Sequence, residues 1–291
     1  MRESTMKTYY LFVYTFLFFL MSACSQGSLP GPTATAVPPT PWPTPDHSLT
    51  AVEKRKASQI QEWAMLVLPG MENVTIANIP YKDDLTADFY YPPDFNFDEK
   101  LPIVLFVNGF RPSDFKDLKD TGWYVSWGQL VATSDMLGVN YEVKDPNADI
   151  HDVITFIQEN GDYLRADTEH ICLWSSSGNT PTAVGALINE NEAAGYKDAI
   201  SCFVVYYGLT FPISKELPPD IPIFIAQAGL DRSSVNQGLD NLATKVEESG
   251  AAVEMVIYEE GEHGFDIWND TEESREIIEQ TLAFMKENLR E

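Results

Sequence analysis

The sequence predicts an α/β fold, with a mainly parallel central sheet covered by helices on both faces. Two observations predict it. Apolar runs of strand length alternate with segments of helical periodicity along most of the chain, the pattern of repeated strand–helix units. Some of those runs, "LPIVLFV" (101–107) above all, are apolar at every position, as strands buried on both sides are.

The elements follow in order. The chain opens on "MRESTMKTYYLFVYTFLFFLMSAC", with Arg2 and Lys7 ahead of an apolar run from Tyr9 to Met21, then Ser22, Ala23 and Cys24. A charged start, a short apolar core and small residues before a cleavage point make a secretory signal. The apolar run is short for a membrane span, which needs about 20 residues. Met21-Ser22-Ala23-Cys24 resembles a bacterial lipobox, which implies that residues 1–24 are a lipoprotein signal and that Cys24 carries the lipid. An ordinary cleaved signal, or an uncleaved anchor helix, has a similar layout. Residues 25–50, "SQGSLPGPTATAVPPTPWPTPDHSLT", are rich in Pro and Thr and read as an extended tether. The folded domain is expected over residues 51–291, long enough for one sizeable core. A net charge of −25 excludes binding nucleic acid by phosphate neutralisation. It also repels anionic headgroups, so a membrane partner is expected only through the lipid on Cys24.

Within the domain, "NVTIANI" and "LTADFYYP" read as two early strands, β-branched and aromatic. "LPIVLFV" is the buried strand, "WYVSWGQLVATS" a helix and "MLGVNYEV" a short strand. "NADIHDVITFIQENG" places Ile150, Val153, Ile154 and Ile157 at helical spacing, with Gly161 as its stop. "HICLW", "AISCFVVYYG" and "IPIFIAQAG" are strands, and "TPTAVGALINENEAAG" is the helix between the first two. "SVNQGLDNLATKVEESG" is helical up to Gly250, "AVEMVIYEE" is the last strand, and an amphipathic helix closes the chain. Cys172 and Cys202 fall in neighbouring strands. Export permits a disulfide, but cysteines in strand cores more often stay small buried hydrophobes, which is the expectation here.

Ligands of such sheets bind outside the carboxyl ends of the strands. Ser175, Ser176 and Ser177 lie at one such end with a helix following, the setting of a nucleophile elbow. The residues two before and two after the nucleophile must be small. For Ser175 and Ser176 the preceding ones are Leu173 and Trp174, both too large. For Ser177 the flanks are Ser175, which is small, and Asn179, which tolerates unusual backbone angles, so Ser177 is the candidate nucleophile. A serine needs a base. Of the four histidines, His47 lies in the tether, and His151 and His170 are expected to face solvent. His263, in "YEEGEHGFDIW", follows the last strand on the same sheet edge as Ser177. Asp231, in "FIAQAGLDRSSV", follows another strand, either as the acid that orients the imidazole or as a helix-start residue. The N–H of Gly178 is the expected first oxyanion donor, and the N–H of Phe110, after Asn108-Gly109, the second.

These pieces resemble the dienelactone hydrolase type of α/β-hydrolase over residues from about 70 to 290. "VLFVNGF" is similar to that family's strand and H-G-x loop with Asn108 in the histidine's place, and "LWSSSGN" to its elbow with Ser175 and Asn179 replacing both glycines. "AGLDRSSV" resembles its acid loop and "EHGF" its histidine loop. The resemblance implies an α/β-hydrolase fold without a large cap domain, and hydrolysis of small esters through an acyl-enzyme. The nucleophile here is serine where the dienelactone hydrolases use cysteine. Two other readings stay open: an inactive binding lipoprotein, motivated by the non-glycine elbow, and a small-peptide hydrolase. No cofactor is expected, since the sequence holds neither a metal-ligand pair nor a phosphate or dinucleotide loop. Arg111 reads as a surface residue or as a contact for a substrate carboxylate. Trp123, Trp127 and Trp174 read as pocket lining or as core.

Overall fold

The computed structural model describes residues 63–109, 117–188, 195–208, 210, 215 and 217–290. The signal, Cys24, the tether, Phe110 and Arg111 lie outside the described residues. The strands are β1 (Thr75–Lys82), β2 (Leu85–Tyr91), β3 (Leu101–Phe106), β4 (Leu137–Tyr141), β5 (Ala166–Ser176), β6 (Ile200–Tyr206), β7 (Ile223–Ala228) and β8 (Val253–Tyr258). The helices are α1 (Gly122–Thr133), α2 (Pro146–Glu159), α3 (Gly161–Leu164), α4 (Thr180–Ile188), α5 (Ser233–Ser249), α6 (Phe265–Trp268) and α7 (Glu272–Asn288).

The strands form one sheet in the order β1-β2-β4-β3-β5-β6-β7-β8. β2 pairs antiparallel with β1 and with β4, and the remaining pairs are parallel. Alternation along the central strands splits their side chains between two cores. Ile103, Leu105, Leu173, Phe203, Val205, Ile223 and Ile225 pack in one layer with α2, α4 and α5. Val104, Phe106, Trp174, Val204, Tyr206 and Phe224 pack in the other with α1 and α7. Both faces are therefore buried, which is why these strands carry no polar alternation. The chain leaves β3 to one side for β4 and returns on the other for β5, so the exits of β3 and β5 flank a switch point where a ligand crevice forms.

Two expectations are corrected. Cys172 and Cys202 are disulfide-bonded, with Cα atoms 4.5 Å apart. They are direct register partners on β5 and β6, and both side chains enter the same layer. Gly161 does not stop α2. The helix ends at Glu159 with Asn160 as its cap, and Gly161 opens α3 instead. A Cβ there would stand 2.4 Å from Thr168 Cγ2, so the glycine serves a close approach rather than a cap.

Candidate active site

β5 runs through Ser175 and Ser176, and both are fully buried. Ser175 Oγ lies 3.3 Å from Thr180 Oγ1, inside the turn. The chain then reverses. Ser177 takes a left-handed conformation (φ 48°) and begins a 3-10 turn over Ser177–Asn179 that feeds α4. A non-glycine residue held at positive φ between a strand and a helix stores about 1–3 kcal/mol of strain and lifts its side chain off the sheet edge. Ser177 is the one of the three serines presented this way. The strained backbone belongs to Ser177 and not to Asn179, which has no positive φ.

His263 comes to it from the loop after β8. Gly264 turns the chain at φ 85° just behind the histidine, and α6 begins at Phe265. Ser177 Oγ and His263 Nε2 are 2.8 Å apart. On the far side of the ring, His263 Nδ1 is 2.5 Å from Asp231 Oδ2. The Asp231 side chain is only 2% exposed, whereas the histidine is 37% exposed. Asp231 Oδ1 also accepts the N–H of Arg232. The helix-start alternative for Asp231 does not hold: α5 is capped at Arg232 without a side-chain bond, and the aspartate faces the imidazole. Gly229 makes this junction possible, because a Cβ there would meet the backbone oxygen of Glu259 at 2.3 Å. Backbone bonds from Gly229 N–H to Tyr258 O and from Leu230 N–H to Gly261 O then lock the acid loop to the histidine loop.

The other two histidines in the domain lie elsewhere and are not simply solvated. His151 Nδ1 is 2.5 Å from the Tyr196 hydroxyl, and His170 Nδ1 is 2.8 Å from Asp167 Oδ2. Of the predicted oxyanion donors, Gly178 sits in the turn directly after Ser177, and Phe110 lies outside the described residues. Gly109, just before it, packs against α4, where a Cβ would come within 2.4 Å of Thr182 Oγ1.

Sequence reasoning missed the support beneath the histidine. Asp266, fully buried on α6, accepts the Tyr207 hydroxyl at 2.5 Å, Trp127 Nε1 at 2.8 Å and Trp123 Nε1 at 2.9 Å. Burial pushes its carboxyl above the usual range, and the three donors oppose that rise only in part. Tyr207, at the exit of β6, lays its ring 4.7 Å from the His263 ring, centroid to centroid. Trp127 and Trp174 are fully buried in an aromatic cluster with Phe106 and Tyr206, so for them the core reading holds. Trp123 is partly buried, fixed by Asp266. The signal available in sequence was thin: an aspartate three residues after His263, and a tyrosine at another strand exit on the same edge.

No curated protein matches the sequence. Solved structures do resemble the fold. Thermogutta terrifontis esterase 2 phosphoramylated by tabun superposes with a TM-score of 0.59 at 14% identity, covering 76% of this chain and 94% of that one. The propionate-bound form of that esterase gives 0.59 at 14% identity, with 75% and 96% covered. The butyrate-bound form gives 0.58 at 14% identity, with 77% and 98% covered. Residues 100–290 match the model of the dienelactone hydrolase family, so this chain, with its mostly parallel α/β-hydrolase sheet, belongs to that family of hydrolases.

Proposed function

We propose that the protein is a serine hydrolase that cleaves small esters through an acyl-enzyme, and that it works outside the cytoplasm on a lipid tether at Cys24. The observation that carries the catalytic reading is the hydrogen-bonded line Ser177 Oγ–His263 Nε2–Asp231, at 2.8 Å and 2.5 Å. A serine hydroxyl is a poor nucleophile alone, and this line gives it a base and gives the base an orienting acid.

In the first step Ser177 Oγ bonds to the ester carbonyl carbon while its proton passes to His263 Nε2. The carbonyl oxygen becomes an oxyanion, held by the N–H groups of Gly178 and Phe110. Asp231 keeps the remaining imidazole proton on Nδ1 and stabilises the imidazolium. Collapse breaks the bond to the alcohol, which leaves with the proton from Nε2. Water then repeats the sequence on the acyl-enzyme and releases the acid. Loss of one oxyanion donor costs about 10²–10³ in rate. Short acyl chains are the favoured substrates, since a same-fold esterase holds propionate and butyrate. The non-glycine elbow motivated the alternative of an inactive binding protein, and the aligned Ser177, His263 and Asp231 weigh against it.

The Cys172–Cys202 disulfide supports export, because such bonds persist in oxidising compartments. Protein recovered from its native membrane should show Cys172 and Cys202 unlabelled by maleimide in denaturant, and both labelled after reduction. Free thiols there would contradict export. For the chemistry, the domain is assayed with chromogenic short-chain esters. Ser177→Ala should lose at least about 10⁴-fold in kcat while staying folded, and Ser176→Ala should keep most of the activity. The reverse pattern would overturn the assignment.

A further inference from the structure

The elbow lacks a glycine two residues after Ser177, and the residue found there has a job of its own. Asn179 is buried, with 3% of its surface exposed. Its Oδ1 accepts the N–H of Gly109 at 2.9 Å. Its Nδ2 donates to the Tyr124 hydroxyl at 2.9 Å, and that hydroxyl donates in turn to Val107 O at 3.1 Å. Both arms of one side chain therefore end on the exit of β3, directly ahead of the predicted oxyanion loop. The partners fix which end of the amide is which: an N–H needs the oxygen, and a hydroxyl already donating to Val107 needs a donor.

Asn108, between those two anchor points, is held from the other side. Its N–H donates to the Tyr141 hydroxyl at 3.2 Å, and its Nδ2 donates to Tyr141 O at 3.0 Å and to Asp117 Oδ1 at 2.9 Å. Residues 107–109 are thus fixed on both flanks, with Asn179 the link to the nucleophile turn. One consequence is direct: the Gly109 N–H is taken by Asn179 and is not itself offered to an oxyanion.

We propose that Asn179 is a positioning residue that ties the exit of β3, residues 107–109, to the nucleophile elbow, so that a side-chain bridge holds the two in register. This rests on the serine hydrolase reading above. It makes a counterintuitive prediction, because putting back the glycine typical of such elbows should harm the enzyme.

The test compares wild type, Asn179→Gly, Asn179→Asp, Tyr124→Phe and Ser177→Ala in ester turnover, melting temperature and amide hydrogen exchange at Gly109. Asn179→Gly should lower kcat about 10–100-fold with KM within about twofold, as expected when catalytic groups lose alignment but substrate contacts stay. Gly109 should be protected from exchange in wild type and lose protection in Asn179→Gly. Asn179→Asp keeps the acceptor for Gly109 but offers no donor to Tyr124. It should therefore fall between, and Tyr124→Phe should show the same kcat-only loss more weakly. Wild-type kcat in Asn179→Gly with Ser177→Ala inactive would overturn the inference alone. So would an unprotected Gly109 amide in wild type, or losses that simply follow melting temperature across the set. Turnover surviving in Ser177→Ala would instead overturn the reading on which it rests.

Discussion

Two aspartates lie near His263, and they are held in opposite ways. Asp231 meets the imidazole directly, 2.5 Å from Nδ1, on a loop that Gly229 lets pack against the histidine loop. Asp266 meets only neutral side-chain donors, Tyr207, Trp123 and Trp127, and reaches the histidine through the ring of Tyr207. On the proposed mechanism, Asp231 acts on charge that appears during the reaction. The other joins α1, the exit of β6 and the histidine loop, and Met65 N–H adds the N-terminal segment by donating to its backbone oxygen. The difference teaches that proximity to the proposed base does not define a carboxylate's part. The donors do: a ring N–H that becomes cationic marks the acid, while three neutral donors mark an architectural anchor.

The two roles predict different failures. The largest effect belongs to Asp231→Asn, which should lower kcat about 10⁴-fold by losing the tautomer and the imidazolium partner. Its melting temperature should move little. Next comes Asp266→Asn, where an amide N–H₂ replaces one acceptor oxygen among three donors. Denaturant unfolding should register about 1–3 kcal/mol of lost stability per donor left unsatisfied, with the loss of turnover far smaller than for Asp231→Asn. A folded Asp266→Asn as inactive as Asp231→Asn would break the comparison.

Tyr207→Phe is milder, because the ring stays on His263 and only the hydroxyl is lost. About 1–3 kcal/mol of stability and a few-fold in kcat are expected. The smallest effect is on pH dependence. Burial raises the Asp266 carboxyl in the folded state above its unfolded value, so the folded chain binds the extra proton. That contribution is fully present below the unfolded carboxyl value and is lost as pH rises through the higher folded one. The melting-temperature difference between wild type and Asp266→Asn should therefore shrink as pH rises above about 4. A difference that grows over that range would mean the carboxyl is held low, as a paired ion would be.

Much of this was legible in sequence, and the limit has a physical form. Strands and helices follow from periodicity, and the choice of Ser177 followed from the size of Leu173 and Trp174, which are local facts. Asp231 and His263 were chosen because each follows a strand and strand exits share one edge, and the structure brings both to Ser177. What local reading could not supply was side-chain partnership across distance. The bonds of Asp266 to Trp127 and Trp123 span 139 and 143 residues. Cys172 and Cys202 pair through strand register, which nothing in either segment encodes. Asn179 was valued for backbone tolerance, yet its backbone is ordinary and its side chain makes the bridge, to a glycine 70 residues earlier.

The central claim is an activated serine at position 177. The most direct measurement treats the domain from residue 51 onward with a fluorophosphonate and locates the adduct by mass spectrometry. The account predicts a single label on Ser177 in wild type and none in His263→Ala. A label on Ser176, or a folded domain that takes no label, would contradict it.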